Sequence, residues 1–110
     1  TTRLLINFAK NIMPKRITWS TLAESDFSNI LNYLNQNWDN KVAANFIDLT
    51  DSIITLIAIN PKQFPFIHKR KGIRKCVLTK HNSLYYRDKR STIEILRIYD
   101  TRQDPDTLTF

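Results

Sequence analysis

The sequence predicts an α+β domain: an N-terminal strand, then an antiparallel helical hairpin packed on one face of a twisted antiparallel sheet. Three observations carry this reading. Two sets of apolar residues at three-to-four-residue spacing lie between Phe27 and Leu56, joined by a short polar corner, which is the pattern of two helices folded back on each other. Three runs rich in β-branched and aromatic residues follow between Ile73 and Tyr99, separated by polar turns, which is the pattern of a meander. At 110 residues and 42% hydrophobic content the chain can fill one core but not two, so the helices and strands share it.

Each element has its own signal. Arg16–Ser20 alternates Ile17 and Trp19 with polar neighbours, the period of a half-buried strand. Thr21 and Glu24 have capping-box spacing, in which a hydroxyl and a carboxylate satisfy orphan N–H groups at a helix start. Phe27, Ile30, Leu31, Leu34 and Trp38 then form one apolar stripe. In the corner at Asn37–Asn40, Asp39 or Asn40 can cap a second helix, whose stripe is Val42, Phe46, Leu49, Ile53 and Leu56. Ile47, Ile54, Ile57 and Ile59 widen its apolar face, so this helix is expected to pack on both the first helix and the sheet. It stops at Asn60-Pro61, because proline disfavours helical geometry in the residue before it.

Pro61–Gly72 reads as a loop, and strands follow at Ile73–Thr79, Leu84–Arg87 and Thr92–Tyr99. The helices cover one face of the sheet, leaving the other free for function. In the first meander strand Ile73, Lys75 and Val77 alternate with Arg74, Cys76 and Leu78, and the register decides which face each basic group occupies.

Composition narrows the chemistry. The single glycine, Gly72, excludes glycine-rich phosphate loops, and the single Cys76 excludes an internal disulfide and suits a reducing cytoplasm. His68 and His81 stand apart with no acidic or cysteine cluster, so neither a metal nor a cofactor is expected. The Lys/Arg and Asp/Glu of residues 1–60 cancel, and the whole net charge of +7 lies in residues 61–110. Such a half favours a polyanionic or acidic partner, although a solvated basic surface has the same composition. Ile53–Ile59 is too short to span a membrane and is broken by Thr55, and the opening residues lack the long apolar run of a signal peptide. Met13 reads as a native start, which makes residues 1–12 an N-terminal extension or a remnant of expression and 13–110 a single domain.

Taken in order, ITWS with Ala23 and Phe27, Tyr33 and Trp38 with the Ala43-Ala44 pair, the prolines of NPKQFPF, then GIRKCVLTKHNSLYYR and IEILRIYDTRQDP resemble the RelE/ParE toxin superfamily of bacterial type II toxin–antitoxin modules. The resemblance runs from about Lys15 to Leu108, and the closing DTRQDP is closer to ParE-like members. It implies a plasmid-stabilisation toxin in the bacterial cytoplasm, held in a hetero-oligomer by a cognate antitoxin. It also implies one of two targets: DNA gyrase, poisoned without catalysis by ParE-like members, or ribosome-bound mRNA, cleaved without metal by RelE-like endoribonucleases.

The RelE-like pattern is incomplete here. Ser83 stands where that pattern has an arginine, and no Tyr or His follows Arg102. Gyrase inhibition is therefore the expected function, and an enzymatic activity is left open.

Apart from the resemblance, RNA cleavage requires a proton acceptor, a proton donor and cations around the phosphate. Arg74, Lys80, Arg87 and Arg102 could supply charge, and Tyr85, Tyr86 or His81 acid–base groups or stacking surfaces. Consecutive tyrosines on a strand face opposite sides, so one is expected in the core. Arg74, Lys75 and Arg102 are the candidates for target binding, and Asp100 and Arg102 stand where they can pair. A non-toxic basic nucleic-acid-binding module is the third reading, since clustered Lys/Arg with aromatics bind phosphates and stack bases.

Overall fold

Residues 14–110 are described by a computed structural model, and the extension expected over 1–12 lies outside the described residues. The elements are β1 (Arg16–Trp19), α1 (Thr21–Asn37), α2 (Asn40–Ile59), β2 (Phe66–His68), β3 (Ile73–Val77), β4 (Asn82–Asp88) and β5 (Thr92–Asp100), with 3-10 turns at Pro61–Gln63 and Pro105–Thr107. The five strands form one sheet in the order β1-β5-β4-β3-β2. The predicted meander is antiparallel throughout, whereas β1 joins its far side parallel to β5, with Arg16 opposite Thr92 and Trp19 opposite Ile95. The sheet is therefore mixed. A parallel pair needs a long crossover, and the helical hairpin with the rest of the meander provides one.

Ser20, not Thr21, caps α1: its hydroxyl accepts from the Ala23 N–H at 3.0 Å and donates to the Leu96 carbonyl at 2.7 Å. The second bond comes from the far end of the chain and fixes Ser20 as the capping residue. Asp39 caps α2 as expected, accepting from the Lys41 and Val42 N–H groups. The buried side of α2 is Ala43, Phe46, Thr50, Ile54, Ile57 and Ala58. Of the predicted stripe Phe46 is buried, but Leu49 and Leu56 are exposed, because packing on two neighbours turns the helix toward its isoleucines. This helix is also longer and more apolar than its Ile53–Ile59 segment indicated: over 20 residues it has a window of mean hydropathy 1.7, enough by length and composition to cross a membrane. Here it packs on α1 and, through Phe46, Ile54 and Ile57, joins the same core as the sheet.

β2 occupies what reads as loop. Three residues long, exposed and bulged between Phe66 and His68, it is an edge strand of the kind that tolerates neighbouring prolines. The main core lies between sheet and helices, where Phe46, Ile57, Leu84, Tyr86, Ile93 and Ile95 meet. The opposite face, expected from sequence to be free, is covered instead. Ile73, Tyr85, Leu96 and Tyr99 form a second buried cluster there, covered by Leu108 of the C-terminal segment. A bulge makes this possible: Tyr85 pairs with Arg97 and Tyr86 with Ile95, so Leu96 is an extra residue that turns outward while Ile95 and Ile98 stay inside.

Candidate functional site

β1 ends at Trp19, so beyond Ile95 the last strand loses its neighbour on that side. Side chains of the α1 segment take over. Ser20 serves the Leu96 carbonyl, and Asp26 accepts from the Ile98 N–H at 3.1 Å while gripping Arg97 through two bonds of 2.7 and 3.0 Å. The Asp26–Arg97 pair is largely enclosed and ties the helix to the end of the sheet. Past it α1 and β5 diverge, and a groove of about 840 Å³ opens between α1, α2, the β3–β4 turn and the end of β5.

The groove is lined by Tyr33, Leu34, Trp38, Val42 and Leu49 on the helical side and by His81, Asp100 and Arg102 on the sheet side. Its helical rim leaves large apolar groups in water, with Tyr33 51%, Trp38 61% and Leu49 36% exposed. Asp100 accepts twice from the Arg102 side chain, at 3.0 Å from Nε and 2.8 Å from Nη2, and once from its backbone N–H at 2.9 Å, and the pairing is as their spacing predicts. Hydrogen bonding from the Arg102 side chain holds the Asp100 carboxyl below its ordinary range, and the nearby His81 adds a smaller effect in the same direction. The groove thus presents an apolar wall facing one that carries the Asp100–Arg102 and Asp26–Arg97 ion pairs.

The other sequence-predicted residues do not converge on this groove. Arg74 donates from Nη1 to the Phe64 and Lys62 carbonyls at 2.7 and 3.3 Å, and its guanidinium lies 3.8 Å from the centre of the Phe66 ring. It fastens the Pro61–Phe66 segment to β3. Arg87 donates to the Lys71 carbonyl at 2.9 Å and pairs with Glu94. Both tyrosines are in cores, not one. Tyr86 is fully buried and donates to the Pro61 carbonyl at 2.6 Å, and burial pushes its pKa up to about 12. Tyr85 packs in the outer cluster with its ring 5.5 Å from that of Phe110, and burial raises its pKa also. Lys75 is half-buried on β3, and Lys80 is exposed in the β3–β4 turn.

Ser83, where the resemblance leads one to expect an arginine, is fully buried with no partner for its hydroxyl, so that position cannot display charge. Burial raises the pKa of the Cys76 thiol as well, which keeps it in its unreactive form. Among the described residues no three His, Cys, Asp or Glu side chains gather as a metal site would require.

Sequence reasoning missed the Asp26–Arg97 tie and the groove rim. Trp38 was placed on the buried stripe, although it closes α1 as the C-cap and faces solvent. Tyr33 lies off that stripe, and a large aromatic on the polar side of an amphipathic helix was the available signal.

The comparisons with known proteins agree on the fold. The chain is similar in structure to the chromosomal ParDE toxin–antitoxin system of P. aeruginosa, with a TM-score of 0.67 and 19% identity, over 78% of this chain and 95% of that one. It is similar to the YoeB/ParE toxin from Agrobacterium tumefaciens, with a TM-score of 0.57 and 13% identity, over 77% and 96%. It also matches the E. coli DinJ–YafQ toxin–antitoxin complex, with a TM-score of 0.56 and 14% identity, over 82% and 96%. No curated protein sequence matches significantly. The model of the ParE toxin of the type II toxin–antitoxin system parDE matches residues 17–105, from within β1 to the first residue of the 3-10 turn after β5. By that match over most of its length, the chain belongs to the ParE toxin family of type II toxin–antitoxin systems.

Proposed function

We infer that this toxin acts in the bacterial cytoplasm, in a plasmid-stabilisation module, by binding and poisoning DNA gyrase without catalysis, and that its cognate antitoxin neutralises it in a stable hetero-oligomer. The observation that carries the target assignment is how the candidate ribonuclease groups are engaged. Tyr86 is committed to Pro61, Tyr85 to the outer cluster, Arg74 to backbone carbonyls and Arg102 to Asp100. Acid–base cleavage needs a donor and an acceptor that reach one phosphate. Within the groove His81 stands near Asp100 and Tyr33 near Arg102, and the ribosome-dependent ribonuclease reading would rest on these two residues.

The groove supports the antitoxin assignment. Its exposed Tyr33, Trp38 and Leu49 offer apolar anchors for an amphipathic segment, and the Asp100–Arg102 pair beside them offers polar partners at the rim.

Induction in cells, with both DNA breaks and RNA ends mapped, tests the target. Gyrase poisoning predicts DNA breaks, filamentation and an SOS response with translated messages intact. Codon-positioned cuts in ribosome-bound messages, lost on His81→Ala or Arg102→Ala with the fold preserved, would make the endoribonuclease reading the correct one.

A further inference from the structure

The end of the sheet opposite the groove is built from two turns. The β2–β3 turn, His68–Gly72, and the β4–β5 turn, Asp88–Ser91, lie side by side because Ile73 is opposite Arg87 and Asp88 is opposite Ile93. Both are pinned. Arg87 Nε donates to the Lys71 carbonyl at 2.9 Å, and Lys15 Nζ reaches Asp88 at 2.5 Å and the Lys89 carbonyl at 2.8 Å.

The carboxylates of this end are used up in holding it together: Asp88 pairs with Lys15, and Glu94 with Arg87 and Lys89. That leaves Lys69, Arg70, Lys71 and Arg90 exposed with no ion pair among the described residues, joined by exposed Arg16 at the start of β1. The turns that carry these cations are therefore held in place, and the cations are not neutralised by ion pairs among the described residues.

We propose that this basic end binds the phosphate backbone of double-stranded DNA, as a surface separate from the groove. The two turns are about two strand spacings apart, roughly 10 Å, close to the ~12 Å width of the B-form major groove, so each turn reaches one bordering row of phosphates. A-form RNA presents a deep, narrow groove there and fits this spacing poorly. Single strands would need free stacking platforms. The nearest aromatics are engaged, Phe66 beneath Arg74 and Phe110 against Tyr85 and His68. An acidic protein would anchor on a broad apolar wall, which lies in the groove at the other end, whereas the exposed apolar groups leading into the basic β2–β3 turn are Phe66, under Arg74, and Ile67.

The test is binding of the purified full chain to a fluorescent 20-base-pair duplex of arbitrary sequence over a salt series. Arg70→Ala/Arg90→Ala removes one free guanidinium from each exposed turn and leaves the pinning bonds intact. Affinity should fall about tenfold or more at low salt, and the slope of log affinity against log salt should flatten by about two, one for each cation lost. The comparison variant Lys41→Ala/Lys80→Ala makes the same change in net charge away from this end and should bind as the parent does. Equal losses in the two variants, or no loss in the first, would overturn the proposal. So would tighter binding to duplex RNA, or binding of polyglutamate as tight as that of DNA, which would reassign the surface to RNA or to an acidic protein.

Discussion

Tyr86 and Asp100 are shifted in opposite directions by opposite causes, and each gives a pH prediction. Burial favours the neutral phenol of Tyr86, whose pKa rises to about 12 from an ordinary 10.0. A raised native pKa contributes stability that is complete below pH ~10 and is lost as pH rises through about 12. Tyr86→Phe should remove that part of the alkaline limb, and at neutral pH should cost about 1–2 kcal/mol, because the Pro61 carbonyl loses its donor. Urea denaturation across pH checks both. Asp100 behaves in reverse: Arg102 lowers its pKa from 3.8, so its contribution is present above that value and disappears as pH falls through the native one. In Asp100→Asn the acid limb of stability should be correspondingly flatter. The pairing of Asp100 with Arg102 was legible from two residues either side of Thr101. The burial of both tyrosines was not, because alternation on a strand places one side chain on each face without saying that both faces are covered.

Among the elements, Phe46 joins α2 to α1 and the sheet, with its ring 5.9 Å from that of Phe27. Phe46→Ala should destabilise the domain by about 3–5 kcal/mol in chemical denaturation; an unchanged midpoint would mean that the helix rests on other contacts. The C-terminal segment makes a smaller contribution. Leu108→Ala should cost about 1–2 kcal/mol, and should raise dye binding by uncovering Tyr85, Leu96 and Tyr99. Strands and helices that declare themselves by local period, β1, α1, α2 and the meander, were all legible. The exceptions depend on distant partners. Ser20 is fixed as the cap by Leu96, β2 exists only against β3, and the turn of α2 about its axis answers to two neighbours at once. Of the candidate site, Arg102 and His81 were legible as polar groups near a turn, whereas the groove depends on where α1 diverges from β5, which no local pattern records.

For the whole molecule, the charge bias read along the chain becomes a polarity in space, with the exposed cations of two turns at one end of the sheet and an apolar groove at the other. One feature of the topology bears on how such a protein is made. β1 is among the first structure synthesised, yet its partner is β5, and Ser20 meets Leu96 across 76 residues of chain. At roughly 5–20 residues per second, about 4–15 s of translation separate the two, and in that interval the edge of the fold has nothing to pair with. A nascent chain should therefore stay protease-sensitive until β5 has emerged, and chains arrested at Asp88 should be digested where full-length chains resist. The toxin would then be harmless while it is being synthesised and become competent only on completion, so a translating cell has those seconds in which to have the antitoxin already waiting.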